Sequence, residues 1–511
     1  MSINRRQLLR WMGGTCSAVA LSKINRARAA GGNPFLPTRA SLQSYGVPDW
    51  FRDAKFGIWS HWGPQSAIED GDWYARLMYV EGSEQYRYHL ANYGHPSKVG
   101  YKDVVGIWKA DKWDPDHLMS LYKKAGAKYF VSMGVHHDNF DLWDSKYTRW
   151  NAVNMGPKKD VVGSWRNAAL KQGLRFGVSE HLWISYKWFA VSHGADKAGP
   201  LAGVPYDGVD PANADLYHDA DCARFVDKLD WNDDGIPETW KRHYLDRMTD
   251  LIDKYQPDIL YTDGHLPFEE YGMRMVSHLY NVSAQLHSGI TESVYTSKEN
   301  SDCAIGTCLL DHERGVADGI AANPWQTDTC IGQWHYKRGQ KYKTAKKVID
   351  LLVDIVSKNG NLLLNFPLPN SGELDSNEMR VLEGITAWME VNSEGIYSTR
   401  PWKIYGEGPS TLQKVEAGNF NEDKQKDLTA EDIRFTKKGS TIYAFVMGKP
   451  EIVVVNALGL WSPQNPGKIQ RVKILGHEGD TQWVQDDESL RVKVPSSVAS
   501  QIGLALKVDM S

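Results

Sequence analysis

The 511-residue chain is 41% hydrophobic and 24% charged, with a net charge of -4 at pH 7. That length exceeds one ordinary core and predicts two domains. The balanced charge, with no long basic run, argues against nucleic acid as a partner, and beyond the N-terminus no apolar run of ~18 residues predicts a membrane span. Twenty Trp and 24 Tyr stand out. Flat rings pack in cores or on the C–H faces of sugars, and composition alone favours the core.

In chain order, Asn4-Arg5-Arg6-Gln7-Leu8-Leu9, a weakly apolar stretch over residues 11–21 and Ala27-Arg28-Ala29 have the layout of a twin-arginine export signal with a small-residue cleavage site. Residues 1–30 are read as a signal peptide, and the mature protein as periplasmic or secreted. Cys16 leaves with the signal. Disulfides among Cys222, Cys303, Cys308 and Cys330 are permitted but not demanded, and no C-x-x-C pair suggests zinc.

From about residue 50 to 388 one pattern recurs: a short β-prone apolar run ends in polar residues and a helical segment follows. The runs are 55–60, 128–133, 174–179, 258–262, 305–310 and 361–365, and helical periodicity covers 115–125, 160–172, 237–255 and 342–357. Alternating strands and helices predict a parallel sheet with right-handed crossovers. The expected fold class is α/β, a (β/α)₈ TIM-like barrel over residues 31–397 whose active site sits at the C-terminal strand ends. An open doubly wound sheet is the alternative, but no G-x-G-x-x-G or P-loop follows the first strand. After residue 397 helical periodicity gives way to short strands at 441–446, 451–455, 470–475, 490–494 and 502–508, so residues 398–511 are read as a C-terminal antiparallel β-sandwich.

The strand tips carry the chemistry. Asp263, in Tyr261-Thr262-Asp263-Gly264, is a carboxylate on rigid backbone, suited to a glycosidase nucleophile or to capping a turn. His136-His137-Asp138 suits a clamp on sugar hydroxyls, since neutral imidazole both donates and accepts; one buried and one surface histidine, and metal binding with Asp138 or Asp263, are the other readings. Glu313 lies at the tip of the next visible strand, where a second carboxyl could act as acid and then base. Glu180, Glu292 and Glu299 are rivals, and Arg314 offers Glu313 a plain ion pair. Asp230-Trp231-Asn232-Asp233-Asp234-Gly235 resembles the start of a calcium loop, but Lys241 stands where the bidentate Glu is needed. Helix capping ahead of Pro237 is the preferred reading there.

Together these blocks resemble glycoside hydrolase family 29, the α-L-fucosidases, across roughly residues 45–510. The resemblance is carried by Trp50-Phe51-Arg52-Asp53-Ala54-Lys55-Phe56-Gly57-Ile58 with His61-Trp62-Gly63, by Asp72-Trp73-Tyr74-Ala75-Arg76, and by Ala127-Lys128-Tyr129 through His136-His137-Asp138 to Leu142-Trp143-Asp144-Ser145. Tyr255-Gln256-Pro257-Asp258 through Asp263-Gly264, and Asn359-Gly360-Asn361-Leu362-Leu363-Leu364-Asn365, complete it. It implies a retaining exo-glycosidase that removes terminal α-L-fucosyl groups from a fucosylated glycan through a covalent intermediate. Asp263 is the implied nucleophile and Glu313 the acid/base, with no metal and no cofactor. The implied substrate-binding set is His61, Asp72, Trp73, His136, His137 and Tyr261, joined by Glu180, His181 and Trp325. Departures occur at Asp72 (Glu in the family), at Asn139-Phe140 and at Val178-Ser179-Glu180-His181. They keep α-L-galactosides and substituted or polymer-bound fucose open as substrates. A sugar-binding module without turnover, or a metal-dependent hydrolase, are the other classes.

Overall fold

A computed structural model describes residues 34–303, 306–413, 416–464, 466–499 and 502–511; the expected export signal lies outside them. Eight parallel strands close into a barrel in chain order: β1 Phe56–Ser60, β2 Tyr129–Val135, β3 Arg175–Glu180, β4 Ile259–Thr262, β5 Val294–Ser297, β6 Leu309–Glu313, β7 Trp325–Cys330 and β8 Gly360–Asn365, with β8 pairing back onto β1. The longer helices are α1 Pro115–Lys124, α2 Val161–Lys171, α3 Glu238–Tyr255, α4 Glu270–Leu286, α5 Ala345–Ser357 and α6 Ser376–Asn392. Their starts follow from local chemistry. Asp114 and Asp160 accept hydrogen bonds from the backbone N–H groups of His117 and Gly163, and Thr344 caps α5 at Lys347.

Two barrel strands escape sequence patterning. β5 (Val294-Tyr295-Thr296-Ser297) and β7 (Trp325-Gln326-Thr327-Asp328-Thr329-Cys330) are short or polar, yet wholly buried. The run expected at 305–310 is replaced by β6, four residues later at its start. Asp311, His312 and Glu313 are therefore strand residues rather than the loop after it.

Strand alternation sorts the side chains. Trp59, Tyr129, Val131, Ile259, Tyr261, Leu309 and Leu363 form the core inside the barrel, whereas Ile58, Phe130, Val178 and Leu260 belong to the larger core that includes the helices. Continuing the inward parity past the strand ends reaches His61, His181 and Asp263; on β6 it gives Asp311 and Glu313, and on β7 Gln326 and Asp328.

The C-terminal strands are β9 Arg400–Glu407, β10 Ile433–Lys438, β11 Thr441–Val446, β12 Ile452–Val455, β13 Ile469–Ile474, β14 Trp483–Gln485, β15 Leu490–Lys493 and β16 Leu504–Met510. They make a five-stranded antiparallel sheet, β13-β16-β11-β10-β9, and a three-stranded one, β12-β15-β14. Phe435, Val472 and Leu506 of the first sheet share a core with Val453, Leu490 and Val492 of the second, which is a sandwich. Helix α5 is buried between barrel and sandwich, and its Asp354 is held by Lys358 (2.7 Å) and by Arg434 of β10 (2.6 Å).

Candidate active site

At the C-terminal strand ends lies a cavity of about 380 Å³, within the ~300–1,000 Å³ of small-molecule sites. It is lined by Trp59, His61, Asp72, Trp73, His136, His181, Tyr261, Asp263, Lys298, Glu313, Asp328, Trp334 and His335, with Trp231 and Phe420 at the mouth. Rigid strands or their first loop residues position most of these groups.

Asp263 follows β4. Its backbone carbonyl accepts a hydrogen bond from Trp183 Nε1 (2.6 Å), and the next residue, Gly264, has φ +129°, where a Cβ would meet the Trp183 ring at 3.0 Å. One carboxylate oxygen contacts Lys298 Nζ; the other lies 3.0 Å from His181 Nδ1 and 3.3 Å from His137 Nε2. Burial alone would raise this carboxyl, but Lys298, His181 and the His137 contact hold it well below the ordinary carboxylate range. Asp263 is a preformed anion.

Glu313 faces it from the end of β6, its Oε2 2.5 Å from the same Lys298 Nζ. Since one ammonium touches an oxygen of each, those two oxygens lie within about 5 Å, the scale of the ~5–5.5 Å carboxyl separation of retaining glycosidases. Burial pushes Glu313 up to about 7; Lys298 opposes the shift, and the charges of Asp328 and Asp263 reinforce it. The two carboxyls are thus driven apart, one ionised and one able to carry a proton near neutrality. Asp311, buried beside Asp328, is raised well above its ordinary value.

Five histidines converge here. The loop behind His136 and His137 is anchored by the buried Arg247–Asp141 ion pair and by Tyr101, whose hydroxyl donates to Asp138 Oδ2 (2.5 Å). Gln65 Nε2 lies 2.6 Å from His136 Nδ1, leaving the other ring nitrogen for the cavity. Burial lowers His61 and His136 well below the imidazole value and His181 to about 4, so these rings are neutral. Neither ring nitrogen of His61 has a hydrogen-bond partner although the side chain is buried, and the buried His335 ring has only a 3.5 Å contact between its Nδ1 and Asp72 Oδ1. Such unsatisfied groups suit a polar ligand. Asp72 ties two loops together by accepting from the backbone N–H of Trp334 (3.1 Å) and His335 (2.6 Å). The trios His61, His136, His335 and His136, His137, His181 each have donor atoms within 4.8 Å of one another, so either could hold a transition ion. In the trio expected from sequence, His137 and Asp263 already touch, and a cation between them would compete with Lys298.

Three expected binding residues, Glu180, Trp325 and His137, do not line the cavity. Glu180 has the parity of Val178, not of His181, and points toward α3. It is fully buried and accepts from Tyr244 Oη (2.9 Å), Thr262 Oγ1 (2.7 Å) and the Leu182 N–H (2.9 Å), a structural role. Trp325 begins β7 at the opposite end of the barrel with its ring on the outer parity, and its Nε1 donates to the Lys358 carbonyl. His137 touches Asp263 from behind rather than lining the cavity. Among the rival carboxyls, Glu292 precedes β5 at the far end, paired with Arg175 (3.2 Å), and Glu299 is exposed outside the cavity. The Asp-rich loop does not cap α3 with a side chain, because Pro237 is the cap residue. Instead Asp233 binds His265 (3.1 Å) and the Phe268 N–H (2.9 Å), Asn232 binds Lys187 (2.7 Å), and Trp231 is left at the cavity mouth. Cys303 and Cys308 form a disulfide; Cys222 and Cys330 are free and buried.

Lys298, Asp328, Trp334 and His335 have no counterpart in the sequence expectations. Lys298 follows the unrecognised β5, Asp328 lies within the unrecognised β7, and Trp334 and His335 follow that strand.

The family profile described as "Alpha-L-fucosidase" matches residues 22–394, and "Alpha-L-fucosidase C-terminal domain" matches residues 425–509. Tissue alpha-L-fucosidase of Rattus norvegicus is 26% identical over 92% of this chain and 91% of its own length. Plasma alpha-L-fucosidase of Homo sapiens is 25% identical over 92% and 90%. A crystal structure of Thermotoga maritima alpha-fucosidase in complex with fucose superposes with a TM-score of 0.68 at 25% identity, covering 93% of this chain and all of the other.

Proposed function

The chain belongs to the α-L-fucosidase family, and from that premise we propose that it hydrolyses terminal α-L-fucosides by double displacement, with Asp263 as nucleophile and Glu313 as acid/base. The observation that carries this reading is the pair of inward carboxyls on one lysine, one held as an anion and the other pushed up to about 7. Asp263 attacks the anomeric carbon as the exocyclic C–O bond breaks, and the proton on Glu313 passes to the departing oxygen. A covalent glycosyl-enzyme results. Glu313, now a carboxylate, takes a proton from water as that water's oxygen attacks the same carbon. Asp263 leaves, and the sugar departs with retained configuration.

Lys298 keeps Asp263 ionised. The neutral rings of His61 and His136, with His335, supply donors and acceptors for ring hydroxyls, while Trp59, Tyr261 and Trp334 offer apolar surface to the C6 methyl group.

The test is proton NMR of a fresh digest of an aryl α-L-fucoside, beside the α-L-galactoside that adds one hydroxyl at C6. The α-anomer of fucose as first product supports the mechanism, and the β-anomer contradicts it. The reading includes export, resting on the twin-arginine pattern at Asn4–Leu9 and checked by N-terminal sequencing of protein from the periplasm or medium for a start near Ala30. No helix of the described residues is long and apolar enough to cross a membrane.

A further inference from the structure

Among the described residues, those lining the cavity come from the barrel and its loops except Phe420, which arrives from the segment beyond it. That segment lies between the two stretches matched by the family profiles, residues 22–394 and 425–509. It is latched to the end of β6. The Glu313 N–H donates to Asn419 Oδ1 (3.0 Å) and the Phe420 N–H to the Glu313 carbonyl (2.7 Å). Asn421 closes two bonds on Val316, at 2.9 and 3.1 Å. Glu422 is buried, its N–H donating to the Arg314 carbonyl and its carboxylate meeting Lys343 (2.9 Å) and Thr329 Oγ1 (2.8 Å). The approach is so close that a Cβ on Gly315 would lie 2.0 Å from the Gly418 carbonyl oxygen.

Within this latch the polar neighbours of Phe420 are satisfied, yet the residue stands 61% exposed at the cavity mouth. Its φ of +53° is a region that L-residues other than Asn or Asp seldom hold. What sets Phe420 apart from the other exposed apolar residues is its place: it is held at the cavity mouth, on backbone fixed by the latch, where its ring can meet a ligand's apolar face. The acid/base sets its direction. A group that protonates the departing oxygen lies on the leaving-group side, and Phe420 is bonded to that group's own backbone.

We propose that Phe420 is the platform for the leaving sugar: the ring packs on the C–H face of the pyranose joined through the scissile oxygen, so that the segment after the barrel forms part of the substrate site. This rests on the glycosidase reading above. The ligand it takes is a glycan whose second ring exposes an apolar C–H face, as galactose and N-acetylglucosamine do.

The test compares α-L-fucosyl fluoride, which has no leaving sugar, with α-L-fucosyl disaccharides on galactose and on N-acetylglucosamine, using whichever disaccharide the wild-type enzyme cleaves best. For Phe420→Ala the ratio of kcat/KM on the disaccharide to that on the fluoride falls about tenfold, the size of one aromatic contact, and Phe420→Trp restores it. Phe420→Gly relieves the backbone while deleting the ring, so the same fall in ratio comes with an unchanged or raised melting temperature. A ratio within about twofold of wild type overturns the proposal, whether both substrates suffer, as for a ring that only braces Glu313, or neither does. A wild-type protein that turns over neither substrate overturns the glycosidase reading and this inference with it.

Discussion

Replacing Lys298 with Met removes the cation shared by Asp263 and Glu313, the two carboxyls of the proposed mechanism. At about 4 Å and an effective dielectric constant of 20, a unit charge is worth about 4 kcal/mol to a neighbouring carboxylate. The side chains of Lys298, Asp263 and Glu313 are only 9%, 19% and 17% exposed, so bulk-water screening does not apply. Loss of the cation disfavours the ionised form of both acids. Asp263 must be ionised to attack, so the acid limb of the kcat/KM profile moves to higher pH. Glu313 must be protonated to act, so the alkaline limb, set near 7 in the wild type, also moves up. Even half the Coulomb term exceeds the ~1.4 kcal/mol of a tenfold change. Activity at pH 5 should therefore fall at least about tenfold relative to pH 8. The assay is kcat/KM on a fucosyl disaccharide from pH 4 to 9, with melting temperature as a check on folding and Lys298→Arg as the variant that restores the profile. Limbs that stay in place beneath a uniform loss of rate, or that move to lower pH, would refute the role given to Lys298.

Two further outcomes follow from the geometry. Glu313→Ala should lose about 10³-fold or more on disaccharides, whose leaving oxygen needs a proton, and far less on fucosyl fluoride; added azide should rescue turnover and yield the α-L-fucosyl azide, whereas a β-azide or no rescue would remove Glu313 from the acid/base role. Glu180→Gln should leave KM unchanged and cost about 1–3 kcal/mol of stability at pH 5 through lost hydrogen bonds. Burial raises Glu180 to about 7 in the folded protein, so the wild type loses stability as pH rises from the ordinary carboxylate range through 7, and the gap between the two proteins in thermal melts should narrow by pH 8. A gap that widens would place the charged form of Glu180 in a favourable site.

Much of this arrangement is legible in sequence because barrel strands end where their apolar runs end. Asp263, His61 and His136 follow clear runs, and the strand-to-tip pattern locates all three. Inward parity is harder to read where a run and its polar tip merge. In Val178-Ser179-Glu180-His181 the two candidate side chains point to opposite faces, and sequence alone admitted both. β7 has no apolar periodicity, because its inward residues include Gln326 and Asp328 and, after Trp325, its outward ones are threonines. Without that strand Asp328 has no location and Trp325 falls on the wrong side of the barrel. Lys298 is invisible for a related reason: β5 has four residues, and a lysine after a short polar strand reads as surface. Phe420 depends on a tertiary latch from beyond the barrel that no local pattern encodes.

The central claim, that Asp263 is the atom-bonding nucleophile, is tested most directly by trapping the intermediate. Incubation with 2-deoxy-2-fluoro-L-fucosyl fluoride, followed by proteolysis and tandem mass spectrometry, should show one 2-fluorofucosyl group per chain, esterified to Asp263 and absent from Asp263→Asn. A label on Glu313, Asp328 or Asp72, or undiminished labelling of the Asn variant, would contradict it.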